Sequence, residues 1–106
     1  MRQATICYLV RPSTTHPTEI CLAEKKSRYV AGKLNGPGGK LEVGESFPGA
    51  ATREVFEEHG VSIREDDLHE AARLDFCFPA APEKGLECRV YFAARWSGTP
   101  RESEEM

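Results

Sequence analysis

Residues 4–10, "ATICYLV", constrain the fold more than any other stretch, because both of their alternating faces are apolar. Successive side chains of a strand point to opposite sides, so a strand with one wet face shows polar residues at every second position. This one reads instead as a strand covered on both sides. The turn-rich "RPSTTHPT" that follows ends it.

A shorter apolar piece, "EICLAE", is expected to pair with the first strand, followed by the basic "KKSR" and the glycine-rich "AGKLNGPGGKLEVGE". So long a loop suggests function. Ser46 can cap a helix with Pro48 in its first turn, and Gly60 suits the left-handed position past its end, which predicts a helix over 47–59. Downstream, Ala72, Leu74, Phe76 and Phe78 alternate with Arg73, Asp75 and Cys77. Cys88, Val90, Phe92, Ala94 and Trp96 alternate with Arg89, Tyr91, Ala93 and Arg95. These are two further strands, joined through "PAAPEKG". A chain of 106 residues is expected to form a single domain, 1–106, with a small core.

With 40% hydrophobic and 29% charged residues, the composition is that of a globular domain rather than a disordered or fibrous chain. No apolar run approaches the roughly 18 residues of a membrane span. The start, "MRQATICYLVRP", is too short and polar for a secretory signal, so a cytoplasmic location without membrane contact is expected. A net charge of -3 gives no electrostatic basis for binding a nucleic-acid polymer, which needs a basic surface. Cys7, Cys21, Cys77 and Cys88 lack zinc-site spacing. Cys7, Cys21 and Cys88 lie in apolar, strand-like surroundings and are expected to be buried reduced thiols.

The sequence "REVFEEHG", 53–60, sets Glu54, Glu57 and Glu58 together with mainly Arg53 to offset them. At about 100° per residue, the three carboxylates share an arc of roughly 100°. Ala51, Val55 and Phe56 should anchor the helix on the flank away from that arc, while Arg53 can pair with Glu57 one turn on. Most acidic runs are solvated faces, yet carboxylates this crowded also suit a hard divalent cation such as Mg²⁺. A glycine loop just before the helix lets backbone groups approach a ligand. It is not a Walker A loop, since Gly39-Lys40 is followed by Leu41 and position 34 is Leu.

Gly39, five residues, Glu45, seven residues, then "REVFEEHGV" fits every fixed position of G-x5-E-x7-R-E-U-x-E-E-x-G-U, U being a bulky aliphatic. This resembles the Nudix box, here residues 39–61; a chance match in such a chain is roughly one in 10⁷. The stretches "AGKLNGPGGKLEVGES" and "GTPRESEEM" are similar to the MutT-like branch that hydrolyses oxidised purine nucleoside triphosphates. The resemblance implies an α/β fold, the Nudix α/β/α sandwich with a mixed sheet. It also implies an enzyme that directs water at a phosphorus of a nucleoside diphosphate linked to another group. Mg²⁺, with Mn²⁺ as substitute, would be held by Glu54, Glu57, Glu58 and the Gly38 carbonyl, joined by Glu105.

Either Glu54 or Glu57 would act as base, with Arg53 orienting and Glu45 stabilising the loop or joining an outer metal shell. Asn35 is implied at the purine base, Lys25 near the phosphates, and Thr5, Tyr29 and Phe76 around the base pocket. Gly38 and Gly39 serve backbone approach, and Lys40 is a candidate phosphate contact. A nucleoside triphosphate such as 8-oxo-dGTP, cut to monophosphate and pyrophosphate, is the expected substrate; ADP-ribose, a dinucleoside polyphosphate, or mere nucleotide binding without catalysis are the alternatives. Domains of this branch usually continue with another strand and a second long helix, which are expected to be missing or truncated here. A fragment, a compact member, or a homodimer that covers the exposed sheet face each accounts for that.

Overall fold

The computed structural model describes residues 2–11, 19–24, 26 and 34–103. Strand β1, Arg2–Arg11, is the middle of the sheet. It pairs antiparallel with β2, Glu19–Cys21, and with β5, Gly38–Lys40, and parallel with β7, Leu86–Ala93. Antiparallel to β7 runs β6, Leu68–Phe76, at the far side. The mixed sheet therefore reads β2-β1-β7-β6 with β5 also on β1, as the doubly apolar "ATICYLV" requires of a central strand. Only the first half of "EICLAE" joins it. Ala23–Glu24 forms β3, which turns away to pair with β4, Leu34–Asn35, in a two-stranded sheet.

The single helix among the described residues, α1, spans Phe47–His59 as the capping signals predict. Ser46 accepts a hydrogen bond from the Gly49 amide, Pro48 fills the first turn, and Gly60 ends the helix at φ 69°. Helix α1 packs on one face of the sheet, where Cys7, Leu9, Ala51, Val55, Val61, Ile63, Tyr91 and Ala93 form the core. Burying a side chain such as Val55 contributes about 1.5–3 kcal/mol, so this cluster outweighs any single polar contact in holding helix to sheet. No described helix is long and apolar enough to cross a membrane.

One irregularity decides what faces where. A bulge between Glu70 and Ala72 shifts the β6 register against β7. Before it, Leu68 sits opposite Ala93 and packs toward the helix; beyond it, Leu74 and Phe76 sit opposite Cys88 and Leu86 and point to the other face. Tyr8 and Phe92 meet edge-on there, 6.0 Å between ring centroids. Leu74, Phe76 and Phe92 remain 44%, 45% and 37% exposed. Among the described residues this face carries no helix, so they make two layers rather than three.

Two expectations need correction. Phe56 does not anchor α1: it is exposed, because the buried arc runs through Phe47, Ala51, Val55 and Glu58 and leaves Phe56 on the far side. Cys21 is exposed as well, since β2 lies at the sheet edge, while Cys7 and Cys88 are buried.

Loss of water around Cys7 pushes its thiol up to about 12. Native protein treated with a thiol alkylator at pH 8 is therefore expected to label at Cys21 and Cys77 and to spare Cys7 and Cys88, as read by peptide mass spectrometry. A second expectation concerns Gly38, where a Cβ would overlap the carbonyl oxygen of Thr5. Gly38→Ala should cost about 3 kcal/mol in a denaturant titration, the upper end for overpacking, since rigid backbone rather than a side chain would have to move.

Candidate active site

The site is built where β5 meets the last three turns of α1. Gly38 and Gly39 pair with Ile6 and Thr5 of β1, and their lack of side chains opens a trough that the helix carboxylates enter. Glu58 is 3% exposed and accepts a hydrogen bond from the Gly38 amide at 2.8 Å. Glu54 lies directly over Gly39, whose absent Cβ would come 2.6 Å from its Oε1. Glu57, at the rim, keeps half of its side chain in solvent. The acidic arc is thus not turned away from the packing face: Glu54 and Glu58 lie within it, Glu58 held by the Gly38 amide and Glu54 by Arg53.

Arg53 organises the rest. Its Nε and Nη2 donate to the two oxygens of Glu45 at 2.8 and 2.9 Å. Nη1 donates to Glu54 at 2.8 Å and to Glu57 at 3.1 Å, and Nη2 also donates to the Lys40 carbonyl at 3.1 Å. Glu42 stands 2.9 Å from Nε. The sequence pointed to Glu57 as the orienting partner of Arg53; the two-pronged bond to Glu45 is the shorter and more directional one. It ties the glycine loop to the helix across eight residues. The planar fork with its five N–H groups is what makes this possible, and a lysine could not reproduce it.

Electrostatics follow from that geometry. Hydrogen bonds from Arg53 and from the Glu42 amide hold the Glu45 carboxyl below the usual carboxylate range. The same bonds, Glu45 first, hold the Arg53 guanidinium above its already high range. Glu42, Glu45, Glu54 and Glu57 surround one guanidinium, so the group carries three net negative charges, and Glu58 adds a fourth. Among the described residues, no three acidic, His or Cys side chains converge closely enough to enclose a metal ion. Glu54 and Glu57 turn toward Arg53, and Glu58 toward Gly38. The donor chemistry nonetheless suits a hard cation: carboxylate oxygens on adjacent helical turns, beside a side-chain-free strand, with excess negative charge.

The other sequence candidates separate. Thr5 is 1% exposed on the helix side, with Oγ1 lacking a hydrogen-bond partner among the described residues. Asn35 accepts at Oδ1 from the Tyr8 hydroxyl at 2.8 Å and from the Gly36 amide at 2.9 Å, on the open sheet face. Phe76 shares that face but at its other end, level with Leu86, while Tyr8 is level with Phe92. The structure therefore does not gather Thr5, Asn35 and Phe76 into one pocket. Lys40 has an exposed side chain, and its carbonyl is engaged by Arg53. Lys25, Tyr29 and Glu105 lie outside the described residues.

Sequence reasoning missed two participants. Glu42 carries no signal, being one acidic residue in a polar loop. His59 carries none either; it is 5% exposed, and its Nδ1–H donates to the Arg101 carbonyl at 2.8 Å.

Comparison with known proteins points to one family. A family model described as "NUDIX domain" matches residues 1–106. The chain is 40% identical over 90 residues to the oxidized purine nucleoside triphosphate hydrolase of Mus musculus, covering 85% of this chain and 56% of that protein. It is 33% identical over 72 residues to the 8-oxo-dGTP diphosphatase of Escherichia coli (strain K12), covering 68% of this chain and 52% of that one. The chain thus spans about half the length of these relatives. A MutT NUDIX hydrolase from Burkholderia pseudomallei superposes with a TM-score of 0.72 at 26% identity, over 96% of this chain and 74% of its own. Together with the carboxylate arc seated on Gly38 and Gly39, these matches make the chain a member of the Nudix family.

Proposed function

We propose that this Nudix domain hydrolyses a phosphoanhydride of a nucleoside triphosphate, releasing the monophosphate and pyrophosphate, with oxidised purine nucleotides of the 8-oxo-dGTP kind as substrates. The observation that carries the reading is the acidic arc of α1 set against β5, Glu58 on the Gly38 amide and Glu54 over Gly39, with Arg53 bracing Glu54 and Glu57. The printed activities of the mouse and Escherichia coli relatives support the substrate class.

A triphosphate repels both a carboxylate cluster and an incoming hydroxide, so the site requires a divalent cation, Mg²⁺ or Mn²⁺ in its place. Glu54, Glu57, Glu58 and the Gly38 carbonyl would hold it, with Glu105 as a further ligand. When bound, it neutralises phosphate charge and lowers the pKa of water. The chain's own residues do the rest. Arg53 fixes the Glu54 and Glu57 side chains, so that little reorganisation is needed when charge develops. Gly38 holds Glu58 at a set depth. Glu54 or Glu57 accepts the proton of the attacking water. Lys40 and Lys25 are the candidates to meet phosphate, and Asn35 to meet the base.

Glu57→Gln is expected to lower turnover at least about 100-fold in a pyrophosphate-release assay with Mg²⁺ across a nucleotide panel. Because Glu57 is half in solvent, thermal stability should change little, within about 0.5 kcal/mol. Undiminished turnover in this variant would remove Glu57 from the site. Wild-type protein that binds nucleotides but hydrolyses none would overturn the enzymatic reading in favour of a binding module.

Glu45 offers an independent check on the brace. Its carboxyl is depressed in the folded state below the ordinary 4.5. The stability it contributes is therefore complete above that value and lost as pH falls through the lowered one. Glu45→Gln should flatten the acid limb of stability below about pH 4.5 and leave the slope near neutrality unchanged, measured by denaturation at stepped pH.

A further inference from the structure

Strand β6 is an edge of the sheet. It pairs with β7 on one side, and among the described residues nothing bonds to the backbone of 69–76 on the other. Such edges are usually blunted by lysine, proline or a bulge. "LHEAARLDF" has neither Lys nor Pro, and its bulge lies between Glu70 and Ala72, so 72–76 run on in regular pairing beyond it.

The side chains of that stretch are poorly matched within the chain. On the helix side Arg73 stands opposite Arg89, and Asp75 opposite Glu87. Like charges directly opposite each other destabilise a strand pair. Glu87 relieves this by reaching Arg73 at 3.1 Å and Arg89 at 3.3 Å, whereas Asp75 meets Arg73 at 3.9 Å. On the open side Leu74 and Phe76 are left nearly half-exposed.

A second copy of β6 supplies what both faces lack. Two identical edges pair antiparallel about a two-fold axis normal to the sheet, and the axis then passes beside one residue, which faces its own copy. Beside Leu74, it sets Arg73 opposite Asp75 of the second copy and Asp75 opposite Arg73, with Leu74 on Leu74 and Ala72 on Phe76. One residue either way fails: about Arg73 two guanidinium groups meet, and about Asp75 two carboxylates.

We propose that β6 is a homodimer interface in which residues 72–76 of two copies pair antiparallel about Leu74 and join the two sheets into one. The contact carries two Arg73–Asp75 pairs on the helix side and covers Leu74 and Phe76 on the other. Because the axis is normal to the sheet, both α1 helices lie on the same side of it. Strands β7 and β1 stand between the contact and the acidic arc on β5, so the arc stays open. Five paired residues per copy make a small interface of the strand-addition kind, and the dimer is accordingly weak and concentration-dependent.

Sedimentation equilibrium of the chain over about 10–500 µM should show a reversible shift from monomer to dimer. Arg73→Asp and Asp75→Arg should each weaken association at least about tenfold, since each sets like charges opposite one another twice. An equimolar mixture of these two variants should associate again as a heterodimer. The double variant Arg73→Asp/Asp75→Arg should dimerise as the wild type does, because both arrangements restore opposite charges at each pair. Should Arg73→Asp fail to fold for want of its bond to Glu87, Leu74→Lys, which puts two ammonium groups beside the axis, should abolish the dimer instead.

A chain that stays monomeric to the top of that range would overturn the interface. Association indifferent to these changes would overturn it as well, in favour of contact through the open sheet face, where Arg73 and Asp75 do not lie. Single variants that fail to recover on mixing would overturn the register about Leu74. None of these readings involves turnover, so they stand or fall apart from the hydrolase assay.

Discussion

At Gly38, strand β5 lies closer to β1 than any side chain would permit, and the site is arranged around that approach. At Gly38 a methyl group would collide with the Thr5 carbonyl; at Gly39 it would occupy the space of the Glu54 carboxylate. Two adjacent glycines therefore do separate work. One allows the strand to pair tightly, and the other leaves room for a charged group to be sunk against backbone. Glu58 can then be buried because the Gly38 amide receives it. A buried carboxylate without such a donor would cost several kcal/mol.

Arg53 converts this packing into a rigid charge arrangement. It is the meeting point of the loop, through Glu42, Glu45 and the Lys40 carbonyl, and of the helix, through Glu54 and Glu57. Mutual repulsion among those carboxylates is offset by a single fork-shaped cation, which leaves the group negative enough to attract a divalent ion while keeping each side chain in place. Hydrophobic burial by Val55, Ala51 and Leu9 supplies the stability that lets such a cluster exist.

Much of this was readable before any coordinates. The caps of α1, the central placement of β1 and the grouping of Glu54, Glu57 and Glu58 follow from short-range rules: side-chain periods of 2 and 3.6, and the backbone demands of Ser46, Pro48 and Gly60. What escaped depends on residues far apart in the chain. Nothing local distinguishes Glu45 from Glu57 as the main partner of Arg53, because the choice is made by how the loop folds back over eight residues. The inward turn of Glu54 and Glu58 and the outward turn of Phe56 invert the usual hydrophobic rule, since here the strand opposite the helix offers hydrogen bonds and open space. The β6 bulge moved Leu74 and Phe76 to the face opposite Leu68, although simple alternation would have kept all three on one face. His59 gave no sign at all, its partner lying 42 residues away.

By itself the sequence determined the elements and the chemistry: a two-sided central strand, a capped helix, and a spacing of Gly39, Glu45, Arg53, Glu54, Glu57 and Glu58 that belongs to the Nudix family. Those are properties of neighbours, set by backbone sterics and by the fixed angle between successive residues. Tertiary structure decided depth and direction, namely which carboxylates are buried, which one Arg53 grips hardest, and where Arg101 is tied down. Such features depend on desolvation and on hydrogen-bond partners supplied by distant segments, and these come together only once β5, α1 and the segment bearing Arg101 have packed on one another.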